Sequence, residues 1–181
     1  MPSCTVTCVL LSVSGPEGEN QNTFCIINLQ IFLANSTQIL YTKDRDSIHL
    51  SEIKRKEYTL VLRYSTQCCS TCVEDILRKM RKFEEQYPDI DILLFTTYRV
   101  QIEKKDFQRI CRFFPKVYNV FSLGIPLDEE VVPYLFVLDR GMRVIDTFIP
   151  DKDLPKLTNR YFERITTTLS RNKAYNYKYY K

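Results

Sequence analysis

Residues 58–87 read YTLVLRYSTQCCSTCVEDILRKMRKFEEQY, and this stretch decides the fold. Residues 59–64 form a short apolar run, which is typical of a strand buried on both faces, as in a parallel sheet. A polar turn with three cysteines follows. Apolar residues then recur at helical spacing, namely Val73, Ile76, Leu77, Met80, Phe83 and Tyr87. The pattern therefore predicts a dithiol at the point where a buried strand turns into a helix.

The predicted position of the cysteines has a chemical consequence. The first turn of a helix has amide N–H groups without backbone partners, and the aligned peptide dipoles add partial positive charge. A thiolate is stabilised there, so a cysteine pKa near ~8.5 can fall to about 3.5–7.5. Cys69 and Cys72 are three residues apart and share one helix face, where their sulfurs can meet. We expect Cys69, the outer residue, to be the nucleophile and Cys72 to resolve the mixed disulfide.

With this pattern, the sequence resembles the thioredoxin superfamily and, within it, the bacterial TlpA-like thiol–disulfide oxidoreductases. The resemblance rests on the strand–Cys69-Ser70-Thr71-Cys72–helix order, on Val132-Pro133 opening a late hairpin, and on a closing helix. A bare C-x-x-C is a weak signal, but these flanking elements make it more specific. The resemblance implies an α/β fold: a thioredoxin-like three-layer α/β/α sandwich with a mixed sheet and a C-terminal antiparallel hairpin.

The rest of the chain fits this order of elements. The patterns predict a strand over 90–95, a helix over 103–114, a strand over 117–121, hairpin strands over 134–138 and 143–149, and a last helix to about 169. We divide the chain into an N-terminal extension (1–46), a thioredoxin-like domain (47–170) and a basic, tyrosine-rich tail (171–181). The tail is more typical of a solvated terminus than of a nucleic-acid arm.

Composition excludes several classes of function. The 181 residues carry a net charge of +4, which is too mild to indicate nucleic-acid binding. The single histidine, His49, leaves little room for histidine-based catalysis or a histidine-rich metal site. Seven cysteines are many for this length, but their odd number and irregular spacing argue against a disulfide scaffold. We expect no bound metal, and a dithiol that takes electrons from a partner dithiol needs no cofactor.

The N-terminus has two interpretations. Residues 4–13 are apolar, but no basic region precedes them and they are too few to span a membrane. As a degenerate or truncated export signal, they predict a place in the bacterial cell envelope, on the periplasmic side, with membrane anchoring through the N-terminus. As a structureless start, they predict a cytoplasmic protein.

The resemblance assigns a substrate-binding role to Val132 and Pro133. In thioredoxin-like proteins the matching proline is cis and faces the dithiol, and the preceding backbone pairs with an extended substrate segment. The alternative is an ordinary proline at the start of a strand, where proline is tolerated.

Two further residues are candidates for tuning the dithiol. Arg63 stands where thioredoxins carry a buried acid. Its guanidinium could lie under the active-site helix and favour the thiolate, or its long stem could carry the charge to solvent. Asp75 matches a carboxylate common in the TlpA-like group and could accept a proton, or it is an exposed acid near a helix start. Cys68, beside the motif, either forms a wrong disulfide or is a packed thiol.

These residues favour a thiol–disulfide oxidoreductase that reduces or exchanges protein disulfides. A partner dithiol would then reduce its own disulfide again. We expect a monomer that does not bind nucleic acid. The first alternative is a redox-inactive thioredoxin-like module that binds proteins. The second is a structural zinc module, which would need ligands from Cys4, Cys8, Cys25 or His49 besides the local cysteines.

Overall fold

The computed structural model describes residues 39–42, 44, 46–98, 104–123 and 131–179. The strands of this part are β1 (Ile39–Tyr41), β2 (Ser47–His49), β3 (Thr59–Ser65), β4 (Asp91–Thr97), β5 (Val117–Asn119), β6 (Tyr134–Leu138) and β7 (Val144–Phe148). The helices are α1 (Ser70–Gln86), α2 (Lys104–Phe113) and α3 (Pro155–Tyr179), with one 3-10 turn at Leu50–Glu52.

The described strands form one mixed sheet in the order β2-β1-β5-β4-β3-β6-β7. β3, β4 and β5 are parallel neighbours, and α1 and α2 supply the crossovers between them. β6 runs antiparallel to β3 and pairs with β7 as a hairpin. Met142 closes this hairpin turn with a left-handed φ of 66°. The predicted mixed sheet with a C-terminal antiparallel hairpin is confirmed.

β3 lies near the middle of the sheet and is buried on both faces. Because side chains alternate along a strand, Leu60, Leu62 and Tyr64 enter one hydrophobic cluster and Val61 enters another. The first cluster also contains buried side chains of α1, α2 and α3, such as Met80, Phe107, Tyr161, Ile165 and Leu169. The second cluster contains, among the described residues, Leu50 of the 3-10 turn together with Val120 and Leu123. The described α-helices thus pack on one face of the sheet, so the second helical layer of the expected three-layer sandwich is not seen among the described residues.

The carboxyl ends of four strands and the cysteine turn lie at one edge of the sheet. The parallel strands β3, β4 and β5 end there, and β7 ends there too because it is antiparallel to β6, which is antiparallel to β3. In open α/β sheets this carboxyl edge is where ligands bind. The cysteine turn follows β3 directly and therefore lies at this edge.

Two predicted boundaries need correction. β1 pairs with β2 and β5, so the sheet already includes Ile39–Tyr41 and the predicted domain start at residue 47 is too late. The last helix continues to Tyr179, so the predicted tail from residue 171 is helical over most of its length. The sequence hid the two strands because β1 and β2 have three residues each, and local patterns rarely reveal strands that short. Residues 1–38, with the proposed export signal, lie outside the described residues.

We predict that Leu62→Ala lowers the free energy of unfolding by about 2–5 kcal/mol, because Leu62 is 0% exposed in β3 and truncation leaves a cavity. Urea unfolding followed by circular dichroism measures the loss. Ile145→Ala, at a β7 position that is 37% exposed, is the control and should cost about 1 kcal/mol or less. Equal losses for the two variants would contradict the burial of β3 in the hydrophobic core.

Candidate active site

The dithiol stands at the start of α1. Cys69 is the residue that precedes the first helical position, and its carbonyl accepts the Val73 N–H at 3.1 Å. Cys69 is exposed and Cys72, one turn further in, is half-buried. Both are free thiols. The structure therefore brings the two predicted redox residues together, with the exposed one at the helix end.

The pKa values of the two thiols are shifted in opposite directions. The pKa of Cys69 is lowered to about 7, chiefly by a hydrogen bond from the Cys72 thiol and then by one from the Thr71 hydroxyl, 3.1 Å away. The backbone N–H groups of Cys72 and Thr71 also favour the Cys69 thiolate. The pKa of Cys72 is raised, first because its proton is held in the hydrogen bond to Cys69 and then by burial. Near neutral pH, Cys69 therefore supplies the thiolate and Cys72 keeps its proton.

Two residues that the sequence did not single out also act on the dithiol. The Thr71 hydroxyl is the partner of Cys69 just described. Lys152, in the loop after β7, is close enough for its positive charge to lower the pKa of Cys72 and so partly offset the increase. Lys152 lies far from Cys72 along the chain, and only the shared edge of β3 and β7 brings the two together. No local sequence signal could have found it.

Cys68 is a packed thiol. It is 8% exposed and belongs to the hydrophobic cluster beneath α1, whereas Cys69 next to it faces solvent. The Ser65 N–H donates to its sulfur at 3.4 Å. Of the two interpretations of Cys68, the structure therefore favours the packed thiol over a competing disulfide.

Arg63 lies on the other face of the sheet from α1. It alternates with Leu62 and Tyr64, whose side chains pack in the cluster of α1, so its own side chain must point away from that helix. The guanidinium is buried, with the residue 5% exposed, and donates to the Phe121 carbonyl at 3.1 Å and the Tyr64 carbonyl at 3.2 Å. Both expectations for Arg63 are therefore wrong: it neither lies under the active-site helix nor carries its charge to solvent.

Asp75 is paired along its own helix. Its carboxylate lies 2.6 Å from Lys79 Nζ and 3.5 Å from Arg78 Nη1, and its side chain is 45% exposed. These contacts are typical of an exposed helix-face acid with i, i+3 and i, i+4 partners. None of its described contacts joins it to Cys69 or Cys72, so its role as a proton acceptor stays a prediction.

The expected cis bond at Val132-Pro133 is wrong. The described residues contain no cis peptide bond, so this bond is trans. Pro133 directly precedes β6, whose first residue, Tyr134, pairs with Arg63. A proline just before a strand removes no ladder hydrogen bond, so the ordinary structural role suffices. The substrate-binding role of Val132 and Pro133 stays a prediction, without the cis geometry on which it rested.

The part of the chain that the structure describes contains no candidate metal cluster and no membrane-spanning helix. Within residues 39–42, 44, 46–98, 104–123 and 131–179, no group of three or more His, Cys, Asp or Glu side chains could hold a metal ion. Cys4, Cys8 and Cys25, the further zinc ligands considered above, lie outside these ranges. In the same part of the chain, no helix combines the length and apolar character that crossing a bilayer requires.

Comparison with known proteins supports the fold. A thiol peroxidase from Chromobacterium violaceum is 13% identical, with a TM-score of 0.52 over 75% of this chain and 83% of that chain. ScoI from Arabidopsis thaliana, solved with copper bound, has a TM-score of 0.49 at 12% identity, over 72% of this chain and 96% of that one. A thiol:disulfide interchange protein from Bacteroides sp. has a TM-score of 0.46 at 16% identity, over 70% and 86% of the two chains.

No model of a known protein family matches the chain, and no curated protein matches it. At these identities a likeness extends to the fold and not to the activity. The thiol peroxidase supports the fold, because its TM-score is 0.52. Together with the sheet order and the helix that starts at the cysteines, it defines a thioredoxin-like α/β fold.

We predict that Cys69 is alkylated faster than Cys72 and Cys68. Its pKa of about 7 means that its thiolate fraction, and with it the rate, rises steeply between about pH 6 and pH 8. Iodoacetamide labelling at several pH values, with mass mapping of the modified peptides, measures the three rates. Faster labelling of Cys72 would reverse the assignment of nucleophile and resolving residue.

We also predict that Arg63→Met leaves the pKa of Cys69 unchanged, because the guanidinium lies on the opposite face of the sheet. The variant should instead lose about 1–3 kcal/mol of unfolding free energy, since the Phe121 carbonyl loses its donor. Labelling rates of Cys69 against pH, and urea unfolding, separate the two effects. A Cys69 pKa that rises in a folded variant would show that the charge reaches the dithiol.

Proposed function

We propose that this protein is a thiol–disulfide oxidoreductase whose Cys69–Cys72 dithiol reduces or exchanges disulfides in other proteins. One observation carries the proposal. An exposed thiol with a pKa of about 7 stands at a helix start, and a half-buried thiol whose pKa is raised follows one helical turn later. A reactive thiolate beside a protonated partner is the arrangement that two-step disulfide exchange requires.

In the first step the Cys69 thiolate attacks one sulfur of a substrate disulfide. A bond forms between Cys69 Sγ and that sulfur, the substrate S–S bond breaks, and the other substrate sulfur leaves as a thiolate that takes up a proton. The Cys72 thiol, then the Thr71 hydroxyl and the N–H groups of the helix start, lower the pKa of Cys69, so that it is ionised near neutral pH without a separate base.

In the second step Cys72 resolves the mixed disulfide. Once Cys69 is bonded to the substrate, it no longer accepts the hydrogen bond that holds the Cys72 proton, and the charge of Lys152 favours the Cys72 thiolate. Cys72 loses its proton to solvent, its thiolate attacks Cys69 Sγ, and the Cys69–Cys72 disulfide forms. The bond between Cys69 and the substrate breaks, and the second substrate sulfur leaves as a thiolate that takes up a proton. Two electrons have then passed from the dithiol to the substrate.

A partner protein with a dithiol completes the cycle by reducing the Cys69–Cys72 disulfide through the same two exchanges. This scheme requires no cofactor. A place on the periplasmic side of the bacterial envelope is part of the proposal and rests on the sequence of residues 4–13 alone. The action as a monomer is likewise proposed, and Asp75 has no assigned step.

We predict that the reduced protein accelerates the reduction of insulin disulfides by dithiothreitol and that Cys69→Ser abolishes the acceleration, because no nucleophile remains. Cys72→Ser should instead accumulate a mixed disulfide between Cys69 and the substrate, which non-reducing electrophoresis with mass spectrometry detects. Cys111→Ser, a half-buried cysteine on α2, is the matched control and should retain activity.

Two outcomes would contradict the proposal. Insulin reduction by Cys69→Ser at the wild-type rate would exclude Cys69 as the nucleophile. A folded wild-type protein without any acceleration, together with no trapped species for Cys72→Ser, would instead favour a thioredoxin-like module that binds proteins without redox chemistry.

A further inference from the structure

The turn that joins β3 to the dithiol is closed by Ser65 and Cys68. The Cys68 N–H donates to the Ser65 carbonyl at 3.0 Å. In return, the Ser65 N–H donates to Cys68 Sγ at 3.4 Å, and the Ser65 hydroxyl lies 3.7 Å from the same sulfur. The two residues therefore hold each other through both backbone and side-chain groups.

This turn begins after β3 has lost one of its two neighbouring strands. The ladder between β3 and β6 ends at the pair Arg63 and Tyr134, whereas the ladder between β3 and β4 continues to Ser65. The next residue, Thr66, still donates to the Thr97 carbonyl at 3.3 Å. After Thr66, hydrogen bonds within the turn hold the backbone between the end of β3 and Cys69.

The sulfur of Cys68 is also anchored below the helix. Cys68 is 8% exposed and shares the hydrophobic cluster of Val73 and Tyr64, so it is packed with residues from both α1 and β3. The next residue in the chain is Cys69, whose thiolate depends on the hydrogen bond from Cys72 and on the N–H groups of Thr71 and Cys72. Those contacts require that Cys69 stay at the position just before the helix.

We propose that Cys68 is a positioning residue: its buried sulfur accepts the Ser65 N–H, closes the turn after β3 and so holds Cys69 at the start of α1. This inference rests on the proposed function, because its consequence is the reactivity of Cys69. Cysteine suits both demands of the position. It packs as a small hydrophobic residue, and its sulfur is a weak hydrogen-bond acceptor.

A matched pair of variants tests the acceptor. Cys68→Ala and Cys68→Ser are similar in size and both lose the apolar sulfur, but only serine offers an acceptor to the Ser65 N–H. The readout is the midpoint of the rate of Cys69 alkylation against pH, obtained by iodoacetamide labelling and mass mapping. Cys111→Ala, which removes a half-buried cysteine packed against the same cluster, controls for general loosening of the core.

We expect Cys68→Ala to raise the midpoint from about 7 by roughly one unit, towards the ~8.5 of a free cysteine. Cys68→Ser and Cys111→Ala should keep the wild-type midpoint. An unchanged midpoint in folded Cys68→Ala would overturn the proposal, and so would an equal rise in Cys68→Ser, which would assign the effect to packing alone.

A measurement on the wild-type protein covers the case in which Cys68→Ala does not fold. The Ser65 amide should exchange its hydrogen more slowly than an unprotected amide, because it is bonded to Cys68 Sγ. A Ser65 amide that exchanges without protection would overturn the proposal. These midpoints and exchange rates do not depend on turnover, so failure of the insulin assay and failure of the positioning role are separate results.

Discussion

The structure depends on the burial of β3 on both of its faces. Six consecutive side chains, from Thr59 to Tyr64, are buried, so each face of this strand must be covered by other parts of the chain. α1 covers one face, and its own apolar stripe, with Val73, Ile76 and Met80, is buried there in return. Because a parallel crossover must return along the sheet, the chain turns sharply after β3, and the cysteines occupy that turn.

The chemistry of the dithiol follows from this turn. Hydrogen-bond donors of the helix start lower the pKa of Cys69, and the pKa of its partner Cys72 moves in the opposite direction. The hydrogen bonds at the helix start therefore distinguish the proposed nucleophile, Cys69, from the proposed resolving residue, Cys72. Lys152 adds a second influence from a distant part of the chain, because β7 ends at the same edge of the sheet as β3.

Arg63 shows how a resemblance can mislead when one residue departs from the pattern. The strand position matched a buried acid in thioredoxins, and this match suggested a role in tuning the cysteines. The alternation of side chains places Arg63 opposite α1, where it donates to the carbonyl of Phe121. Its guanidinium donates to two backbone carbonyls, and the bond to Phe121 ties the chain after β5 to β3. The resemblance was also misleading at Val132-Pro133, where it implied a cis peptide bond and the bond is trans.

The sequence by itself determined the order of the main elements and the place of the dithiol, because both are encoded locally. The apolar run of β3, the helical repeat of α1 and the turn residues between β6 and β7 each appear within a few neighbouring residues. Only the tertiary structure decided the short strands β1 and β2, the face of Arg63, the burial of Cys68 and the approach of Lys152 to Cys72. These features depend on strand register and on contacts between distant segments, and a local pattern does not contain that information.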